Sequence, residues 1–168
     1  ARTRFVAGGR VQRREERLEG VRDSHDLDAY ELALRHRIGR GWSVYGKHGT
    51  SFRLANFDEN ACFAPPCPAS LLEPQEARAG ELGVEYEAGG WRARGAIYDK
   101  RLENEIAFSP AAFANVNLAP TRRRGLELEA LWRASPAVEW RAALAFQDAT
   151  FRATGGDVPL VPEAHATA

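Results

Sequence analysis

The 168 residues carry 23 basic and 23 acidic side chains, a formal net charge of zero, and are enough for one domain with a sizeable core. Two of the basic residues are lysine (Lys47, Lys100) and the rest are arginines scattered without a stripe or basic face, which excludes nucleic acid as a partner. No stretch approaches the ~20 apolar residues of a membrane-spanning helix, but a membrane-crossing strand needs only about 9–11 residues with alternate ones apolar.

Seven strand-like segments follow in chain order. The first opens at residue 3 and sets Phe5, Ala7, Gly9 and Val11 against Arg4, Gly8, Arg10 and Gln12, with Val6 as an exception. After a long gap over 15–28, the second sets Tyr30, Leu32, Leu34 and Ile38 against Glu31, Arg35 and Arg37, with His36 breaking the apolar side. Gly39-Arg40-Gly41 is a short gap, and a third segment over about 42–51 keeps Trp42 and Val44 in phase. A long gap over 52–76 leads to the fourth, with Leu82, Val84, Tyr86 and Ala88 against Glu81, Gly83, Glu85 and Glu87. Gly89-Gly90 is short, and the fifth segment, about 91–103, keeps Trp91, Ala93, Gly95 and Ile97 together. Beyond 104–121 the sixth sets Leu126, Leu128, Ala130 and Trp132 against Glu127, Glu129 and Arg133. Ser135-Pro136-Ala137 is short again. The seventh sets Val138, Trp140, Ala142, Leu144 and Phe146 against Glu139, Arg141, Ala143, Ala145 and Gln147. A last long gap, 150–158, precedes a segment from Val158 to Ala168 that reads as the entry to a further strand.

Alternation is the mark of a strand with two unlike faces. The gaps alternate as well, long then short, which sorts tight turns to one end and large loops to the other. The predicted fold is all-β, an antiparallel up-and-down meander of about 7–8 strands that is part of a large transmembrane β-barrel. The charged face is either the solvent side of a soluble sandwich or the wall of a wet lumen, and the pattern alone does not choose. The tryptophans favour the barrel. Trp42, Trp91, Trp132 and Trp140 all lie near the short turns and on the apolar phase, as the aromatics of a membrane-interface girdle do. Gly39, Gly41, Gly89 and Gly90 permit the positive φ of tight hairpins, and Pro136 suits a turn.

With these segments in place, the chain resembles the barrel region of TonB-dependent outer-membrane receptors. The run from Tyr45 to Arg53 is similar to the family's strand ending in a Gly-Phe-Arg-type motif, followed by an acidic pair, here Asp58-Glu59. Leu72-Glu73-Pro74-Gln75 and then Glu81-Leu82-Gly83 resemble its L-x-P-E … E-x-G stretch, with Gln75 in place of Glu. Asn115-Val116-Asn117 and the run Thr121 to Glu129 resemble its N-x-N … T-R-x-x-G-x-E-x-E strand entry. Val158-Pro159-Leu160-Val161-Pro162 and His165 resemble its return into the next strand, with the histidine one residue late.

The resemblance implies a partial barrel domain over 1–168, without the plug domain or the C-terminal strand of a full receptor of roughly 22 strands. It implies a bacterial outer-membrane receptor for TonB-energised uptake of a scarce ligand such as a ferric siderophore, haem or cobalamin. Its partners would be outer-membrane lipid and lipopolysaccharide, the plug and through it the TonB complex, and an iron-chelate or similar small ligand. The alternatives are a soluble all-β ligand- or carbohydrate-binding module, and an outer-membrane porin independent of TonB.

Within that frame the 52–76 loop supplies candidate ligand contacts in Phe52, Arg53, Phe57, Asp58, Glu59 and Phe63, aromatic and charged groups suited to an organic chelate. Cys62 and Cys67 enclose four residues and are a candidate disulfide outside the cell; two thiolates without a nearby histidine do not complete a zinc site. Residues Asp23 to Asp28 offer three carboxylates and His25, but without EF-hand spacing or its glycine they read as a solvated acidic loop rather than a Ca²⁺ site. The Arg122-Arg123-Arg124 run is expected at a strand's outer end, where lipopolysaccharide phosphates are within reach. His25, His36, His48 and His165 are scattered, and no nucleophile, zinc, phosphate or dinucleotide fingerprint occurs. The expectation is no enzyme, no metal and no cofactor.

Overall fold

The computed structural model describes residues 2–18, 20–60, 71–159 and 161–167. The elements in chain order are β1 (Thr3–Leu18), β2 (Val21–Gly39), β3 (Trp42–Arg53), α1 (Phe57–Asn60), β4 (Gln75–Ala88), β5 (Trp91–Glu103), β6 (Ile106–Ser109), β7 (Ala114–Asn117), β8 (Thr121–Ser135), β9 (Val138–Phe151) and β10 (Ala164–Thr167). Eight of the strands form one antiparallel sheet in the order β1-β2-β3-β4-β5-β8-β9-β10, while β6 and β7 pair separately. The meander is therefore in sequence order, with one small hairpin inserted between β5 and β8.

The gap expected over 15–28 is not a loop. β1 and β2 stay in register to Leu18↔Val21. The reason is ionic: this end of the ribbon is polar on both faces and is tied by pairs such as Arg22–Glu15 at 2.7 Å and Arg13–Asp26 at 3.7 Å. The acidic stretch from Asp23 to Asp28 lies in β2, so alternation sends Asp23 to one face and Asp26 and Asp28 to the other. They cannot converge on a cation, and they are not a loop.

Registers align the apolar residues across the sheet. Leu82 pairs with Gly46 and Ile97, Ile97 with Leu126, and Leu126 with Phe146. This band is open to the surroundings: Leu34 is 50% exposed, Leu82 63%, Ile97 57% and Phe146 49%. Ser43, Ala96, Leu102, Thr121 and Ala149, all buried, belong to the opposite face. The enclosed side of the sheet is thus the polar one, the reverse of a water-soluble sandwich core. At the short-turn end, Trp91 and Trp132 stack at 5.3 Å and Trp42 lies 4.8 Å from Tyr86. Trp140 pairs in register with Trp132 and Trp132 with Trp91, so these three form one row on the apolar face, and Trp42 lies in the neighbouring row with Tyr86.

Two glycines of the E-x-G and G-x-E-x-E runs have a visible cause. Gly83 is opposite Tyr45, and Gly125 is opposite Tyr98. Each tyrosine lies over its glycine, so a Cβ on Gly83 would stand 2.3 Å from the Tyr45 ring. A Cβ on Gly125 would stand 2.5 Å from the Tyr98 hydroxyl and 2.6 Å from the Phe146 carbonyl oxygen. The Tyr45 ring is held in place by polar-face partners: its hydroxyl donates to Glu81 at 2.6 Å and accepts from Arg94 at 2.8 Å. Arg94 and Lys47 each reach Glu81 at 2.6 Å.

Candidate ligand-binding face

The long-loop end includes two excursions, residues 54–74 and residues 104–120, beside the β9–β10 connection. In the first, Asn56 and Glu59 form a reciprocal cap. The Glu59 N–H donates to Asn56 Oδ1 and the Asn56 N–H donates to Glu59 Oε2, each at 2.9 Å. This is the capping-box arrangement that starts a helix, here with Asn as the cap residue. Arg53 Nη1 donates to both Glu59 oxygens at 2.8 Å. Of the expected ligand contacts, Arg53 and Glu59 are therefore occupied with each other. Phe52 is half-buried, with the Arg10 guanidinium 5.1 Å from its ring centre. Phe57 is 71% exposed and Asp58 is exposed. Phe63, Cys62 and Cys67 lie outside the described residues.

Burial pushes the Glu59 carboxyl up, but Arg53 and the Asn56 N–H outweigh it and hold the group below the ordinary value of 4.5. A depressed native carboxylate contributes stability above its unfolded value and loses it as pH falls through the native one. Acidification below about 4.5 should thus loosen this turn, read as lower amide protection factors at Glu59 and Asn60. Glu59→Gln should exchange fast already at neutral pH and show no further change there.

Asparagines join the two excursions. Asn117 Oδ1 accepts from the Glu73 N–H at 2.9 Å, and its Nδ2 donates to the carbonyls of Glu73 at 3.0 Å and Asn104 at 2.9 Å. Asn115 Nδ2 donates to the Glu59 carbonyl at 3.2 Å, and Gln75 Oε1 accepts from the Ile106 N–H at 3.2 Å. The N-x-N run and Gln75 thereby weld the loops into one layer. The β6–β7 hairpin projects Phe108 and Phe113, whose rings meet edge-to-face at 5.8 Å while staying 54% and 67% exposed. These two were missed in the sequence, although Ser109-Pro110 is a turn signal that was available there.

Below this layer, the polar face forms a groove of about 440 Å³ whose lining includes Lys47, Glu81, Tyr98, Lys100, Arg123 and Glu127. Arg123 points to this side and pairs with Glu105, while Arg122 and Arg124 belong to the apolar face. The arginine run is thus split by strand alternation. Among the described residues no three His, Cys, Asp or Glu side chains gather as a metal site. The arrangement offers aromatic surface above a charged wall, which suits holding and passing a solute rather than bond chemistry.

Known proteins share the architecture of the sheet. The model of the TonB dependent receptor-like, beta-barrel family matches residues 2–168. The ferrioxamine B receptor of Salmonella typhimurium is 28% identical over 160 residues, covering 90% of this chain and 22% of the receptor. Among solved structures, the copper transporter OprC matches with a TM-score of 0.74 at 15% identity, over 98% of this chain and 29% of its own. The ferripyoverdine receptor of the Pseudomonas aeruginosa outer membrane matches with a TM-score of 0.71 at 18% identity, over 98% of this chain and 23% of its own. These structural likenesses speak to the fold, and the chain spans less than a third of each relative. The chain belongs to the TonB-dependent receptor family and supplies strands of its outer-membrane β-barrel.

Proposed function

We propose that the protein containing this chain takes up a ferric siderophore across the outer membrane, driven by the TonB complex acting on a plug inside the barrel. The observation that carries this is the likeness to the ferrioxamine B receptor across 90% of the chain. Physical chemistry supports it. A ferric chelate is too large and too dilute for an open pore, so it must be captured first. Phe57, Phe108 and Phe113 give the loop layer exposed aromatic surface for the chelate's organic coat. In this reading the long-loop end faces outward, the tryptophan row lies at the periplasmic interface, and Glu81, Arg94 and Lys47 line the wall that meets the plug.

The test is uptake by the full-length receptor in iron-starved cells. Radioactive iron presented as ferrioxamine B should accumulate, and should stop accumulating on deletion of the receptor or of TonB. Receptor-dependent entry of haem or cobalamin, with no ferric siderophore transported, would overturn the reading. So would uptake that persists without TonB.

A further inference from the structure

The segments at the long-loop end share one sign of net charge. The first excursion, residues 54–74, has three acidic residues and no basic one, and the second, residues 104–120, has one acidic and no basic. The β9–β10 connection, residues 152–163, has two acidic and one basic, and the β1–β2 ribbon over residues 10–28 has six acidic and five basic. The chain as a whole is neutral, so the excess of carboxylates at this end is offset by cations along the strands. The cations nearest the layer are taken: Arg53 by Glu59, Arg123 by Glu105 and Arg152 by Glu103. Lys100 stands on the wall below, past the buried Leu102, and Arg78, Arg101 and Arg122 belong to the apolar face. Asp58 and Glu73 remain. Both are exposed, and among the described residues neither has a cation within ion-pair distance. Residues 61–70, between them, include no Lys, Arg or His.

The asparagines set these carboxylates beside the aromatic pair. Phe108 is opposite Asn115 in the β6–β7 ladder and Ile106 is opposite Asn117, so Phe108, Asn115 and Asn117 share one face of the hairpin. From that face Asn115 holds the carbonyl of Glu59, the residue after Asp58, and Asn117 holds the backbone of Glu73. Asp58 and Glu73 thus border the exposed Phe108 and Phe113. Aromatic rings flanked by unpaired carboxylates favour an organic cation, because the ring faces attract it and the carboxylates accept its hydrogen bonds. The same field repels an anion and slows its approach. Hydroxamate donors just neutralise ferric iron, so a pendant ammonium makes the whole chelate cationic, whereas catecholate donors leave it multiply anionic.

We infer that the loop layer selects a positively charged ferric chelate, of the hydroxamate class with a pendant ammonium group, through Asp58 and Glu73, and discriminates against anionic catecholate complexes. The inference rests on the siderophore reading above and names the class within it. The full-length receptor in detergent is titrated with ferrioxamine B in forms that differ only at the terminal amine: free and cationic, acetylated and neutral, succinylated and anionic. The cationic form should bind about tenfold more tightly than the anionic one, with the neutral form between them, and the gap should narrow as salt is raised. Asp58→Asn with Glu73→Gln should cut the ratio to about threefold or less. Glu139→Gln, at the short-turn end, should leave it at about tenfold. Heat-modifiable migration confirms that each variant is a folded barrel. Equal binding of all the forms, or tighter binding of the anionic one, would overturn the charge preference while leaving siderophore uptake standing. An undiminished ratio in the double variant would overturn the assignment to Asp58 and Glu73. Binding of none of the forms would overturn the siderophore reading, and this inference with it.

Discussion

Gly125→Ala should prevent the full-length receptor from reaching its folded, heat-modifiable form, and removing the tyrosine above it should not restore it. A Cβ there meets the Phe146 carbonyl oxygen at 2.6 Å as well as the Tyr98 hydroxyl. The carbonyl belongs to the β8–β9 ladder and cannot yield without parting the strands. Gly83→Ala is the instructive contrast. Its three closest approaches, from 2.3 to 2.5 Å, are all to Tyr45. The cost is overpacking, about 1–3 kcal/mol, and it falls on a ring that the partner substitution can delete. Tyr45→Ala in the Gly83→Ala chain should therefore recover most of the lost stability in urea, whereas Tyr98→Ala in the Gly125→Ala chain should recover little. Rescue of Gly125→Ala by Tyr98→Ala would show that the ring and not the ladder sets the requirement. Failure of Tyr45→Ala to rescue Gly83→Ala would remove the ring as the cause.

The same two glycines show what the sequence does and does not disclose. The strands were legible because a bilayer enforces alternation: Leu82, Val84 and Tyr86 must face one medium, and Glu81, Gly83 and Glu85 another. The ends of β1 and β2 were not legible, because beyond the apolar band nothing enforces alternation. Glu15, Glu16, Arg22 and Asp23 are polar whichever way they point, so a paired ribbon reads like a loop. The motif glycines could be found by resemblance, but their reason is a cross-strand tyrosine some 27 to 38 residues away in the chain, which only register reveals. The loop layer was half visible. Arg53, Glu59 and Phe57 drew notice by residue type, yet type does not tell that Arg53 and Glu59 bind each other. Phe108 and Phe113 lie on strands of four residues or their turn, too short for a periodic signal.

Asn117→Ala should separate capture from barrel stability. Its side chain makes three hydrogen bonds across the layer, two to Glu73 and one to Asn104. At about 1 kcal/mol each, loss of the two bonds to Glu73 removes roughly 2 kcal/mol from the docking of one excursion on the other, while loss of the Asn104 bond loosens the second excursion itself. None of the three bonds lies in the eight-stranded sheet, so the urea midpoint of the full-length receptor should hold while amide exchange at Glu73 speeds up. If the aromatic surface captures ligand as a unit, the loosened layer pays ordering entropy on binding, and affinity for ferrioxamine B should fall by more than tenfold, on the order of those 2 kcal/mol. Asn117→Asp keeps the acceptor for the Glu73 N–H but turns a donor into an acceptor facing two carbonyls. It should be no better than alanine, and a near-native affinity in it would show that the amide donor does not hold the layer. Loss of the barrel itself in Asn117→Ala would show instead that the loop layer is needed to assemble the strands beneath it.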